Sequence, residues 1–153
     1  MEEIKNTAMK AIKNTIEINA PKEKVWQVLT NEKYYLQWYA LFCEGTTAIT
    51  DWKEGSKIIF AAGGMGLIGK IAVYRPNEEL LIEMTGILQN GVEDYDSPAA
   101  KNTLQASEHY LLTEKDGKTT LQTSADIDEE YYEQTSASWD AAKEKIKELA
   151  ESL

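Results

Sequence analysis

The feature that most constrains the fold is a series of six short β-rich segments that fills the middle of the chain. They are separated by turn-forming residues such as Asp116-Gly117, a pattern typical of an antiparallel meander. In the last segment Leu121, Thr123 and Ala125 alternate with polar residues, so one face should pack and the other should contact solvent. The predicted strands cover residues 42–50, 57–62, 67–74, 80–88, 108–114 and 119–127.

One more strand and three helices are predicted around this meander. Ile12, Ile16 and Ile18 alternate with polar residues and predict an opening strand. Apolar residues at helical spacing after Pro21 predict a helix to Thr30, and residues 31–39 predict a second helix capped by Asn31. Near the C-terminus apolar residues recur at steps of three and four, which predicts a long amphipathic helix. Its stripe comprises Trp139, Ala142, Ile146, Leu149 and Leu153.

Residues 89–107 interrupt the meander. They contain an Asn90-Gly91 turn, an acidic stretch, and Ser97 followed by Pro98. Serine at the N-cap with proline at the first helical position predicts a short helix. We expect this insertion to be the mobile part of the fold.

The stretch GGMGLIGKI, residues 63–71, resembles two nucleotide-binding motifs. Residues 64–69 match G-x-G-x-x-G, and residues 64–70 match a phosphate-binding loop except for its last hydroxyl. Both motifs require a following helix, whereas Ile71 begins a β-branched and aromatic run. The stretch therefore predicts a hairpin between two strands, with Gly69 leaving space for a side chain or ligand above the sheet.

Size and charge limit the classes of partner. A chain of 153 residues with 42% hydrophobic residues supports one core, so residues 1–153 are expected to form a single domain. The formal net charge of -10 disfavours nucleic acid and anionic lipid. Neither a secretory signal nor a stretch long enough to span a bilayer stands out. We expect a soluble, cytoplasmic protein with no nucleic-acid partner and no membrane insertion.

The sequence shows no convincing catalytic group. Cys43 would need a base, and the single histidine, His109, is distant and linked to it by no motif. His109 would be the first residue to consider in an enzyme because histidine is the side chain most often used in general acid–base catalysis. If Tyr110 and Leu112 face the interior, however, strand alternation places His109 on the outside.

Metal and cofactor sites are likewise not predicted. The acidic stretch at residues 93–96 departs from a calcium loop, because Pro98 and Ala99 stand where a ligand and a glycine are required. The acidic residues 126–130 are expected to be solvated, with Asp128 capping a helix that begins at residue 129. We predict no catalytic residues, no metal ligands and no cofactor.

Five segments, taken in order, carry a family resemblance. They are INAPKEKVWQVLTN (18–31), LQWYA (36–40), DWKEGSKIIF (51–60), HYLLTEKDGKTTLQT (109–123) and SWDAAKEKIKELAE (138–151). With them the chain resembles START-like (SRPBCC) domains, and more specifically the bacterial relatives of the activator of the heat-shock protein 90 ATPase. None of the segments is a catalytic motif, so they support a fold more strongly than a function.

The resemblance implies an α+β helix-grip fold. A curved antiparallel sheet would wrap around the long C-terminal helix, with two short helices after the first strand and an apolar cavity or groove between sheet and helix. The alternative is that the side chains proposed to line it simply fill the core. The candidate lining residues are Trp38, Tyr39, Phe60, Met65, Ile71, Met84, Tyr110 and Trp139.

Three functions remain open at this point. The first is noncatalytic binding of a small hydrophobic or amphipathic ligand, with uptake near the glycine hairpin and residues 89–107. The second is a co-chaperone-like protein-interaction module in the stress response, although the chain has no room for the additional N-terminal domain of the eukaryotic activators. The third is a cyclase or hydratase that uses the same cavity, with His109 and Tyr110 as leading residues. Exposed Tyr131 and Tyr132 are compatible with a monomer or a homodimer.

Overall fold

A computed structural model of the protein describes residues 8–153, in which eight strands form one antiparallel sheet. The order along the sheet is β1-β8-β7-β5-β4-β3-β2, with β6 paired to β5. The fold is the predicted α+β helix-grip arrangement, with a long C-terminal helix packed on the sheet. The strands are β1 Met9–Ile18, β2 Thr47–Ile49, β3 Lys57–Ala62, β4 Met65–Arg75, β5 Glu79–Gln89, β6 Val92–Asp94, β7 Ser107–Lys115 and β8 Lys118–Asp128.

Two of the helices and one 3-10 turn begin at capping side chains that the sequence predicts. The Oδ1 atom of Asn31 accepts a hydrogen bond from the Lys33 amide at 3.0 Å, and Ser97 Oγ accepts one from the Ala100 amide at 3.2 Å. Asp128 caps a 3-10 turn, Glu129–Tyr131, and the long helix follows it. The helices are α1 Lys22–Thr30, α2 Glu32–Tyr39, α3 Pro98–Asn102 and α4 Tyr132–Glu151.

Two parts of the predicted strand pattern differ from the structure. The strand predicted at residues 42–50 is wrong over its first half, because only Thr47–Ile49 pairs with β3. The backbone amides of Phe42 and Cys43 bond back to the Tyr39 carbonyl at 3.0 and 3.3 Å, so the chain continues in turns after α2. The insertion at residues 89–107 also contributes a strand that was not predicted, β6, through a hairpin at Asn90-Gly91 in which both residues have positive φ.

The glycine stretch forms the predicted hairpin. Gly63 and Gly64 have φ values of 61° and 80° and connect β3 to β4, which continues as a strand to Arg75. A Cβ atom on Gly69 would lie 2.9 Å from Ile82 Cγ2 and 3.4 Å from Met84 Sδ. The space above Gly69 is therefore taken by these two side chains.

The main core lies between one side of the sheet and α1, α2 and α4, and we call that side of the sheet helix-facing. From α4 the core receives Trp139, Ala142, Ile146 and Ala150, each at most 3% exposed. The apolar stripe of α4 is thus largely covered within the chain, and Lys147 Nζ adds a hydrogen bond to the Glu17 carbonyl at 3.1 Å. No helix in the part of the chain that the structure describes is long and apolar enough to cross a membrane.

Two buried threonines of β8 provide a matched test of this core. Thr119 Oγ1 donates to the Ala20 carbonyl at 2.7 Å, whereas Thr123 Oγ1 has no hydrogen-bond partner within residues 8–153. We expect Thr119→Val to lower the free energy of unfolding by about 1 to 2 kcal/mol, because it leaves a buried carbonyl unpaired. Thr123→Val should be neutral or slightly stabilising, since it removes an unpaired hydroxyl. If urea unfolding shows the same loss of unfolding free energy for both variants, the two threonines do not differ in hydrogen bonding as described.

Candidate functional site

Alternation along β7 divides its side chains between the two sides of the sheet. The Tyr110 ring lies 6.2 Å, centroid to centroid, from Trp139 of α4, so Tyr110 is on the helix-facing side together with Glu108. His109 lies on the opposite side, as predicted, with Nε2 2.7 Å from Glu79 Oε2. This hydrogen bond is the main cause that lowers the pKa of Glu79. His109 is therefore remote from the space between sheet and helix.

Aromatic side chains occupy the space between the sheet and α4. The rings of Trp38, Tyr110 and Trp139 contact one another, with centroids 6.2 to 6.4 Å apart. Tyr39 lies 4.5 Å from Trp38 and 5.8 Å from Phe60. Such edge-on and tilted contacts are the geometries that aromatic pairs favour. We call these five residues the aromatic group.

The structure brings seven of the eight predicted lining residues into one core and leaves Met65 outside it. Ile71, Met84 and the aromatic group all belong to this core, in which Phe60 is only half-buried. Met65, next to the glycine hairpin, is 51% exposed. Ligand contact with the buried residues would therefore require side chains to move, whereas Phe60 is partly accessible.

Three polar side chains lie near one another at the edge of the aromatic group, with the charge of Glu108 acting on both tyrosines, and we call Tyr39, Glu108 and Tyr110 the carboxylate–phenol cluster. The Tyr110 hydroxyl donates a hydrogen bond to Glu108 Oε1 at 3.3 Å. Burial raises the pKa of Glu108 to about 7, although the bond from Tyr110 acts in the opposite direction. Glu108 as a whole residue is half-buried, whereas its carboxyl group is desolvated enough for burial to dominate this shift.

As whole residues, the two tyrosines of the cluster are more deeply buried than Glu108. Burial, and then the charge of Glu108, raise the pKa values of Tyr39 and Tyr110 well above their usual range, so both stay protonated at physiological pH. Tyr39 as a whole is 8% exposed, and its hydroxyl has no hydrogen-bond partner among residues 8–153, but the hydroxyl oxygen itself is not buried and can contact solvent. The cluster thus offers an unused hydrogen-bonding group beside a carboxylate.

Glu108 lies where the insertion joins the sheet. Just before it, the backbone amide and the hydroxyl of Ser107 both bond to Asp126 Oδ2, at 3.1 and 3.2 Å. The Ala106 carbonyl accepts a hydrogen bond from the Met84 amide at 3.0 Å. These bonds fix the start of β7, and with it Glu108, beside the insertion.

Glu108 was not among the site residues predicted from the sequence, although strand alternation indicated which way its side chain points. The alternation that places His109 outside also places Glu108 inside, in phase with Tyr110 and Leu112. Glutamate is usually exposed, so a glutamate at the start of a strand is normally interpreted as a solvated strand end. For this reason the inward direction of the Glu108 side chain was not recognised. The meeting with Tyr39 depends on how α2 packs on the sheet and has no signal in the sequence.

Two shallow depressions lie elsewhere on the surface, with volumes of about 320 and 260 Å³. The first is lined by Arg75, Glu78 and Gln122 among others, and the second by Lys13 and His109 among others. Neither includes a predicted lining residue or a member of the carboxylate–phenol cluster. Both are open to solvent, so we regard the cluster as the better candidate site.

Comparisons with known proteins agree with this architecture. A family model described as "Activator of Hsp90 ATPase homolog 1-like protein" matches residues 19–153. Among curated proteins, none matches the chain significantly.

Solved structures with the same fold include three bacterial proteins, each 18% identical to this chain. The solution structure of the Aha1 dimer from Colwellia psychrerythraea has a TM-score of 0.70, covering 93% of this chain and 96% of that one. Protein MLL2253 from Mesorhizobium loti has a TM-score of 0.68, with 92% and 96% covered. CalU16 from Micromonospora echinospora has a TM-score of 0.64, with 96% and 80% covered. At this identity the similarity shows the fold alone.

Proposed function

The chain belongs to the family described as Activator of Hsp90 ATPase homolog 1-like protein, and from this premise we propose that it binds a small amphipathic molecule without catalysing a reaction. The polar end of the ligand would contact the carboxylate–phenol cluster, and its apolar part would lie against the aromatic group. The site is on the helix-facing side of the sheet, beside the insertion at residues 89–107.

The unpartnered Tyr39 hydroxyl beside the half-buried Glu108 is the observation that carries this proposal. The Tyr39 hydroxyl is accessible and makes no hydrogen bond within residues 8–153, so it is free to bond to the polar end of a ligand next to the aromatic group. Ligand sites typically combine an apolar wall with a few polar groups that orient the ligand. The aromatic group and the cluster form such a combination.

Packing limits the size of the ligand. Trp38, Met84 and Trp139 are each at most 5% exposed, so no ligand reaches them without displacing side chains. Phe60 is more accessible, and its neighbour across the sheet, Leu67, is 40% exposed. We propose that the apolar part of the ligand enters along Phe60 and Leu67 and extends toward the tryptophans only as they move.

Titration with 1-octanol, followed by the indole N–H signals in NMR spectra, tests this proposal. We expect saturable shifts at Trp38 and Trp139 and little change at Trp26, whose ring contacts Tyr74 instead. Tyr39→Phe keeps the ring but removes the hydroxyl, and should weaken binding about fivefold. Non-saturable shifts, or shifts at Trp26 alone, would refute the proposal. Native mass spectrometry of the purified protein would show whether a natural ligand remains bound.

A second candidate function is interaction with a chaperone of the heat-shock protein 90 class. The family description suggests it, and exposed apolar side chains favour a protein contact: Leu41 is 42% exposed, Met65 51% and Leu67 40%. Size-exclusion chromatography with the bacterial chaperone would test this function. A complex that Met65→Ser and Leu67→Ser weaken, while Val92→Ser does not, would support it. Absence of a complex at micromolar concentrations would count against it.

A further inference from the structure

Glu108 is an acidic group without a cationic partner in the described part of the chain. None of the ion pairs between residues 8–153 involves it, and its one hydrogen bond comes from Tyr110. Its neighbours across the sheet are Ile82 on β5 and Ala125 on β8, both apolar. A partly buried carboxylate in apolar surroundings is stabilised when a cation lies beside it.

The surroundings of Glu108 suit a positive charge for a second reason. The faces of tyrosine and tryptophan rings carry partial negative charge and attract ammonium groups within about 6 Å of the ring centroid. Tyr110 and Tyr39 stand beside the carboxylate, and the Trp38 ring is 4.5 Å from that of Tyr39. The Tyr39 hydroxyl can also accept a hydrogen bond from an ammonium group.

An anionic ligand head would be unfavourable at this position. The carboxylate of Glu108 would repel it directly, and the net charge of -10 repels anions from the whole surface. A neutral alcohol could form hydrogen bonds with the cluster but would leave the carboxylate without a counter-ion. A primary amine, protonated to an ammonium group, both supplies the counter-ion for the carboxylate and forms hydrogen bonds with the cluster.

We propose that the ligand of this site is an amphipathic amine, whose ammonium group pairs with Glu108 and bonds to the Tyr39 hydroxyl while its apolar part lies along Phe60. This inference rests on the proposed function and adds the chemical class of the ligand. No covalent step is involved. Among ligands of equal chain length, the charge of Glu108 would then determine which head group binds best.

Isothermal titration calorimetry at pH 8 with octylamine, 1-octanol and octanoate tests the inference. The three probes share a chain length and differ in head group, and each is kept below its micelle concentration. We expect octylamine to bind at least about tenfold more tightly than 1-octanol, because a charge-assisted hydrogen bond is stronger than a neutral one. Octanoate should bind more weakly than either.

Two variants identify the source of this preference. Glu108→Gln should bring the octylamine and 1-octanol affinities to within about twofold of each other, whereas exposed Glu83→Gln, with the same charge change, should keep the tenfold difference. Equal binding of amine and alcohol by the unaltered protein would overturn this inference and leave the proposed function standing. Binding of none of the three probes would overturn both. A preference that survives Glu108→Gln would reflect general surface charge and would also refute the inference.

Discussion

Trp139→Ala is expected to lower the free energy of unfolding by about 3 to 5 kcal/mol, the range observed when a large buried aromatic side chain is truncated. The Trp139 ring is 3% exposed and contacts Trp38, Phe42 and Tyr110, with centroids 5.0 to 6.2 Å apart. Its removal therefore takes away the contact through which α4 holds both α2 and β7. Urea unfolding monitored by circular dichroism measures the loss.

The same substitution should create a space that a ligand can fill. An apolar cavity left by a deleted side chain can bind a small apolar molecule of matching shape. We therefore expect indole to raise the Tm of Trp139→Ala but not that of the unaltered protein. Trp26→Ala removes another buried ring, 6% exposed and in contact with Tyr74, and should gain Tm with indole for the same reason, so the unaltered protein is the control.

The result for Trp139→Ala decides how closely sheet and helix are packed. A loss below about 1 kcal/mol would mean that the side chain is not part of a tight core. It would also mean that the predicted cavity is open in the native protein. If Trp139→Ala does not fold, Trp139→Phe provides the comparison, since it retains a ring and should lose less. A rise in Tm with indole for the unaltered protein would indicate nonspecific binding.

The sequence was sufficient for those parts of the fold that local chemistry determines. Alternation in β8 and capping by Asn31 and Ser97 depend on neighbours in the chain, and the structure has them where they were predicted. The turn at residues 40–46 was not predicted. It forms because the amides of Phe42 and Cys43 bond back to the end of α2, and these bonds have no signal in the sequence. Phe42 packs against the core from this turn, whereas Leu41 and Cys43 are exposed.

The candidate site was less predictable because it depends on distances between elements. The sequence nominated Trp38, Tyr110 and Trp139 as lining residues, but only the spacing between α4 and the sheet determines whether they enclose a cavity or fill it. The structure places their rings in contact. Glu108 was not predicted, although alternation along β7 indicates its side of the sheet, and its proximity to Tyr39 depends on the packing of α2. Sequence periodicity thus identified most of the candidate side chains, whereas tertiary packing brings Tyr39, Glu108 and Tyr110 close together.

Glu108→Gln is expected to stabilise the protein, although it removes a charged group from a hydrogen-bonded site. Burial raises the pKa of Glu108 to about 7 from an ordinary value of 4.5. The folded state therefore binds the proton more tightly than the unfolded state does. As pH rises from about 4.5 to 7, the unfolded chain ionises first and the stability of the folded protein falls. Above about pH 7 both states are ionised, and the loss is complete.

Glutamine resembles the protonated glutamate and has no proton to lose, so the difference between the two proteins reports this titration. We expect Glu108→Gln to match the unaltered protein within about 0.5 kcal/mol at pH 4, and to exceed its free energy of unfolding by about 2 kcal/mol at pH 8.5. Each pH unit of pKa shift corresponds to about 1.4 kcal/mol, and the partial exposure of Glu108 reduces the full effect. Urea unfolding between pH 4 and 8.5 measures the difference.

Glu83→Gln is the control for this pH series, because Glu83 is exposed on a neighbouring strand and the substitution changes the net charge equally. Its stability should follow that of the unaltered protein at every pH. If both variants gain equally at high pH, relief of the overall negative charge is the cause, and Glu108 has no special role. If Glu108→Gln loses stability at pH 8.5, the carboxylate already has a favourable partner in the folded protein. The absence of such a partner is the premise on which recognition of an amine depends.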